Sequence, residues 1–122
     1  MEVSRTIDPA KHFIYTTVTG EITLTEIYED MVRLASEPNY SPDMPGIVDM
    51  RNATVRLTTD EIRQLTEELR KRPLVVARTR RALLVGSELA FGIYRMFATL
   101  AMGGWTDYRV FRDEQAARDW LK

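Results

Sequence analysis

The sequence has no cysteine and a single histidine, His12, among 122 residues. The first absence removes disulfides, thiolate nucleophiles and thiolate metal sites together. The second leaves too few imidazoles for a histidine metal centre, and no Asp or Ser cluster stands near His12 in sequence to complete a catalytic trio. His12 reads as an ordinary surface residue after a turn. Neither sign of charge prevails: 17 Lys and Arg face 18 Asp and Glu, for a formal net charge of −1. Nothing therefore draws the chain as a whole toward nucleic acid or an anionic membrane. No uninterrupted apolar run reaches the roughly 18 residues of a membrane-spanning helix. Met1-Glu2-Val3-Ser4-Arg5 has no apolar signal segment, so the expected compartment is the cytoplasm, which the lack of cysteine also suits. Internal repeats, low-complexity stretches and glycine-rich phosphate loops are missing as well. What is present, 44% hydrophobic and 29% charged residues, is the composition of an ordinary folded chain, and the length allows one domain, 1–122.

Residues 3–8 and 12–19 are rich in Val, Ile, Thr, Phe and Tyr around Asp8-Pro9-Ala10-Lys11, which predicts a β-hairpin ending at Gly20. Thr23 and Glu26 have capping-box spacing. Leu24, Ile27, Tyr28, Met31, Leu34 and Ala35 follow at helical intervals, up to Pro38. Pro38, Pro42, Pro45 and Gly46 make a surface loop. Ile47-Val48-Asp49-Met50-Arg51 reads as a strand covered on both faces. Thr58 and Glu61 repeat the capping box before Ile62, Leu65 and Leu69, a helix running toward Arg72 and Pro73. Residues 74–79 fit either a helix extension or a lead into the next strand. Arg81-Ala82-Leu83-Leu84-Val85 is a buried strand, and Gly86-Ser87 opens a long helix to about Met102, stopped by Gly103-Gly104. Tyr108 to Arg112 is the last strand, and Asp113 caps a closing helix that carries Ala117, Trp120 and Leu121. The order β-β-α-β-α-β-α-β-α predicts an α/β domain. Its five-stranded sheet is mostly parallel and covered by helices, with the hairpin as an antiparallel edge.

Ligands in such sheets usually sit beyond the carboxyl ends of the strands. Arg51 and the helix start at Ser87 lie on that rim and form a candidate anion contact. Capping by Ser87 and carboxylate pairing by Arg51 explain the same residues without a ligand. Asp49, in an otherwise apolar strand, needs a partner, and Arg51 shares its face by strand parity. Gly86-Ser87-Glu88 lacks the two flanking glycines of a nucleophile elbow. Arg70, Lys71, Arg72, Arg78, Arg80 and Arg81 form the one basic cluster. Without interleaved aromatics it reads as a solvated helix end rather than a nucleic-acid site. No acid–base or nucleophile pair emerges, so the expectation is a protein that is not an enzyme and holds no metal or cofactor.

The helix at 87–102 carries the main functional signal. Glu88, Gly92, Arg95 and Thr99 form one narrow polar stripe, and the other positions are apolar. Covering one sheet face takes only about 100° of apolar surface, so the surplus needs a neighbouring helix, a second subunit or a ligand. Phe91, Tyr94, Arg95, Phe97 and Met102 are the candidate interface or ligand residues. Gly92 costs about 1 kcal/mol relative to Ala inside a helix, which suggests close packing there. The expected function is a non-catalytic regulatory or interaction module, self-associating as a homodimer through this helix or binding a protein partner. The alternative is a carrier or sensor of a small hydrophobic or amphipathic ligand held between this helix and the sheet.

Four pieces together resemble a known family: Ile47-Val48-Asp49-Met50-Arg51, Ala82 to Ser87, Phe91-Gly92-Ile93-Tyr94-Arg95, and Val110-Phe111 followed by Ala117 and Trp120-Leu121. Their order resembles that of SpoIIAA-like (STAS-type) domains, most nearly the small bacterial STAS-like proteins of unassigned function, and of the lipid-binding CRAL-TRIO relatives. The resemblance spans nearly the whole chain and implies a single SpoIIAA-like domain. STAS anti-sigma-factor antagonists are phosphorylated on a Ser of an Asp-Ser-Ser-Gly motif, and the corresponding stretch here is Leu57-Thr58-Thr59-Asp60. That makes Thr59 a candidate phosphoacceptor, although Leu57 replaces the motif's Asp and Asp60 its Gly. Asp60 would repel a phosphate, so Thr58 and Thr59 read first as helix caps. The CRAL-TRIO likeness implies the carrier alternative, with Arg95 or Ser87 as head-group contacts.

Overall fold

Strands form where β-branched and aromatic residues alternate, and helices where a Thr, Ser or Asp cap precedes an apolar stripe. The computed structural model describes residues 1–71, 78–104 and 106–122. Its elements are β1 (Glu2–Asp8), β2 (Phe13–Ile22), α1 (Leu24–Ala35), β3 (Gly46–Val55), α2 (Thr59–Arg70), β4 (Thr79–Val85), α3 (Glu88–Leu100), β5 (Thr106–Phe111) and α4 (Glu114–Leu121). The five strands lie in sequence order, β1-β2-β3-β4-β5, with β1 antiparallel to β2 and the remaining pairs parallel. This is the expected α/β architecture. Of the segment that sequence left ambiguous, residues 74–77 lie outside the described residues and Thr79 opens β4.

Two strands run longer than local sequence suggests. Gly20 adopts a φ of 81° without ending β2, because glycine enters the left-handed region at little cost. A register shift between Thr17 and Thr19 takes up the irregularity, after which Glu21 pairs with Thr54 and Ile22 with Val55. The ladder thereby extends β3 to Val55, well past Arg51. In the hairpin turn His12 has a φ of 52°, an uncommon conformation for a side-chain-bearing residue. It is exposed, with Nε2 3.4 Å from Asp43 Oδ1.

The caps follow the predicted spacings with one difference. Thr58 and Glu61 complete a capping box on α2, and Ser87 and Asp113 accept the N–H groups of Ala90 and Ala116. Thr23 accepts from the Glu26 N–H at 3.4 Å, but the Glu26 carboxylate turns to the Met1 amino group at 2.8 Å. That ion pair supplants the reciprocal bond of the box.

Strand parity divides the sheet into two faces. Leu83 and Val85 join Val18, Met50 and Val110 beneath α1, α2 and α3, forming the larger core. Ala82 and Leu84 join Ile47 and Phe111 beneath α4 alone. Gly86, just past β4, crosses so near β3 that a Cβ there would lie 2.3 Å from the Arg51 carbonyl oxygen. Gly86→Ala should lower unfolding stability by about 3 kcal/mol although the residue is exposed, since backbone rather than a side chain must move. Urea denaturation checks this; a loss under about 0.5 kcal/mol, ordinary for a surface site, would remove the close approach. Gly92 behaves oppositely. A Cβ there would meet nothing within 4 Å, because the polar stripe of α3 faces solvent rather than a close neighbour.

A cavity beneath the first helix

α1 has the apolar spacing of a packed helix, yet none of its residues is buried. Leu24, Ile27, Tyr28 and Met31 touch the core without sealing against it. Part of the helix is held off by polar groups: Asp30 forms an ion pair with Arg5 of β1, and Arg5 Nε also donates to Thr16 Oγ1 at 3.4 Å. A cavity of about 180 Å³ lies beneath it. Its floor is Ile14, Thr16, Val18, Gly46, Val48, Met50 and Leu83 of the sheet. Its walls are Ile27, Asp30, Met31 and Leu34 of α1, Leu65 and Leu69 of α2, and Tyr94 and Phe97 of α3. The lining is overwhelmingly apolar.

Among the described residues, three around it each hold a buried polar atom that makes no hydrogen bond: Asp30 Oδ1, which has Arg33 Nη2 at 3.9 Å, Arg81 Nε and the Tyr94 hydroxyl. Tyr94 is 5% exposed, and burial pushes its phenol well above the usual tyrosine value. Arg81 reaches the cavity from the start of β4. Its Nη2 donates to the Tyr40 hydroxyl and the Pro42 and Met44 carbonyls at 3.3, 3.1 and 3.4 Å, which ties the proline-rich loop to the sheet.

The opposite face carries a polar network that is fully paired. Asp49 accepts from Arg51 Nε at 3.0 Å and Arg51 Nη2 at 2.8 Å, and from the Tyr15 hydroxyl at 2.8 Å. Glu114 accepts from Arg51 at 3.1 Å and Arg118 at 2.9 Å and lies 3.3 Å from the Tyr15 hydroxyl, whose one proton it shares with the nearer Asp49, clamping α4 to the sheet. Bonds from Arg51 hold the Asp49 carboxyl below the usual range, and those from Arg118 do the same for Glu114. Burial, reinforced by the bond to Asp49, pushes the Tyr15 phenol up to about 12. The expected Asp49–Arg51 pair is present.

The candidate residues fall in different places. Tyr94 and Phe97 line the cavity and Phe91 is half-buried against the same core. Arg95 lies exposed on the polar stripe, and Met102 is 73% exposed. Arg51 and Ser87 are not brought together: the guanidinium joins Asp49 and Glu114 on the α4 face, whereas Ser87 caps α3 on the other. Thr59 is the exposed first residue of α2, next to the capping Thr58. The basic cluster divides as well. Arg80 lies over Trp120 on the α4 face, while Arg81, one residue on, enters the cavity; Arg72 is outside the described residues.

Sequence reasoning missed Arg5, Asp30 and Arg81 as a set. The signal was available: Arg5 alternates with Val3 and Ile7, and Asp30 interrupts the apolar side of α1 between Ile27 and Leu34. Among the described residues no group of three or more His, Cys, Asp or Glu could hold a metal ion, and no helix is long and apolar enough to cross a membrane.

No protein-family model matches the sequence, and a search of curated proteins finds no match. Among solved structures the chain is similar to an uncharacterised protein of the DUF3478 family, with a SpoIIAA-like fold, from Shewanella loihica PV-4. The TM-score is 0.62 at 19% identity, covering 98% of this chain and 94% of that one. With its antiparallel edge hairpin, parallel strands and four helices, the chain has the SpoIIAA-like fold.

Proposed function

We propose that this domain is a non-catalytic binding module that takes up a small apolar or amphipathic molecule in the cavity beneath α1. The observation that carries the reading is that Tyr94, which lines an apolar cavity, buries a hydroxyl with no hydrogen bond among the described residues. A buried hydroxyl without a partner costs about 1–3 kcal/mol. A ligand bearing a polar group can relieve that penalty while its apolar part covers the cavity wall. The volume exceeds the roughly 150 Å³ of apolar cavities that accept benzene, which sets the scale at a short alkyl chain or one aromatic ring. Helix α1, with no residue fully buried, is the wall that can yield to admit it.

Val48→Phe tests this by filling the floor. In the wild type 1-hexanol should raise the melting temperature and bind measurably by calorimetry. In Val48→Phe both signals should vanish, with stability within about 1.5 kcal/mol of wild type because the added ring occupies existing space. A wild type that gives no shift with hexanol or benzyl alcohol, and empty protein by native mass spectrometry, would overturn the reading.

Self-association through the 87–102 helix has less behind it. The large apolar side chains of this segment that remain exposed are Leu89, at the start of α3, and Met102, in the turn after it. They sit at opposite ends of the segment and do not make one patch.

A further inference from the structure

The cavity treats its charged residues unequally. Two guanidiniums and one carboxylate line it: Arg5, Arg81 and Asp30. Arg5 and Asp30 neutralise each other. No carboxylate lies within ion-pair distance of Arg81 among the described residues. Its oxygen partners, the Tyr40 hydroxyl and the Pro42 and Met44 carbonyls, are neutral and crowd onto Nη2 at 3.1–3.4 Å. Nη2 has only two N–H groups to share among three acceptors. Nε is buried and makes no hydrogen bond among the described residues. This half-buried cation therefore has no anionic partner among the described residues.

We infer that the occupant is a small monocarboxylate, its carboxyl group paired with Arg81 and its apolar body lying over Val48, Leu83 and Met50. The inference rests on the cavity being a ligand site. A carboxylate oxygen can accept the Arg81 Nε N–H, which no described residue uses, in a charge-assisted hydrogen bond. Arg81 suits that role by position. It stands in the cross-strand row Ile14–Gly46–Arg81–Tyr108, beside Gly46, which presents only backbone. The next row along the floor, Thr16–Val48–Leu83–Val110, offers one hydroxyl among apolar side chains. The site therefore has a cationic end and a hydrocarbon bed. The volume limits the body to a short chain or a single ring.

The test compares hexanoate with 1-hexanol, alike in length and differing in charge, by calorimetry on the wild type and on Arg81→Met. Hexanoate should bind the wild type roughly 10- to 100-fold tighter than hexanol, the value of hydrogen bonds to a charged group. In Arg81→Met the preference should disappear while hexanol affinity changes less than about threefold. Equal affinity of acid and alcohol for the wild type overturns the inference and leaves the cavity reading standing. A preference that survives in Arg81→Met overturns the assignment to Arg81. Binding of neither molecule removes the cavity reading itself. Arg81 also anchors the loop, so the wild-type comparison decides the question even if the variant does not fold.

Discussion

Replacing Phe97 with aspartate should unfold the domain. Phe97 is 4% exposed and meets the ring of Tyr108 edge-on, with centroids 4.9 Å apart. It belongs to the core that joins α3 to the sheet and α2. The substitution removes aromatic packing worth about 3–5 kcal/mol and adds a carboxyl group that must be buried unpaired or protonated. A loss above about 5 kcal/mol is comparable with the whole stability of a domain of this size. Circular dichroism melting and urea titration should find no cooperative transition at 25 °C. The control is Met102→Asp in the exposed turn after α3, which should change stability by less than about 0.5 kcal/mol. A folded Phe97→Asp protein with a normal melt would mean that the apolar side of this helix faces outward and is available to another subunit.

Asp49→Ala should cost about 2–3 kcal/mol and change the response to acid. The carboxylate accepts two bonds from the Arg51 side chain, one from the Arg51 backbone N–H and one from Tyr15. Breaking a fully buried pair costs about 3–5 kcal/mol, but the Arg51 side chain is 40% exposed, so water recovers part of that. Glu114 also keeps its bonds to Tyr15 and Arg51. The Asp49 carboxyl is held below its ordinary value in the folded state, chiefly by Arg51. Its stabilisation is therefore fully present above the unfolded value near pH 3.9 and is lost as pH falls through the lower folded value. Wild type should exceed Asp49→Ala by a constant margin between about pH 6 and 8, and the two should converge below about pH 4. A margin that persists undiminished into acid would show that packing, not the ionised carboxylate, is what Asp49 contributes.

These two residues show how unevenly the chain discloses itself. Asp49 was legible because an acid in a five-residue apolar strand needs a partner, and parity puts Arg51 on its face. The third and fourth members are distant in sequence, Tyr15 34 residues from Asp49 and Glu114 63 residues from Arg51, so no local pattern joins them to the pair. Phe97 was singled out for the right helix and the right side of it. Whether that side met α2, another subunit or a ligand depended on where α2 lay. The cavity was only half legible. Tyr94 and Phe97 are among the candidate contacts of the sequence, whereas Arg5 and Asp30 are not and Arg81 reads there as part of a solvated basic cluster.

Amino-acid sequence by itself determined the order and type of all nine elements, their caps, and the division of strand residues between two faces. Those properties are set within a few residues, by the helical and strand periods and by the donors that a Thr, Ser or Asp side chain can satisfy. Tertiary structure decided how far β2 and β3 run, because ladder pairing carries them past Gly20 and Arg51. It also held α1 away from the floor. A cavity is a mismatch between the space several elements enclose and the side chains available to fill it. No single segment encodes that difference, so it exists only once the elements are packed together.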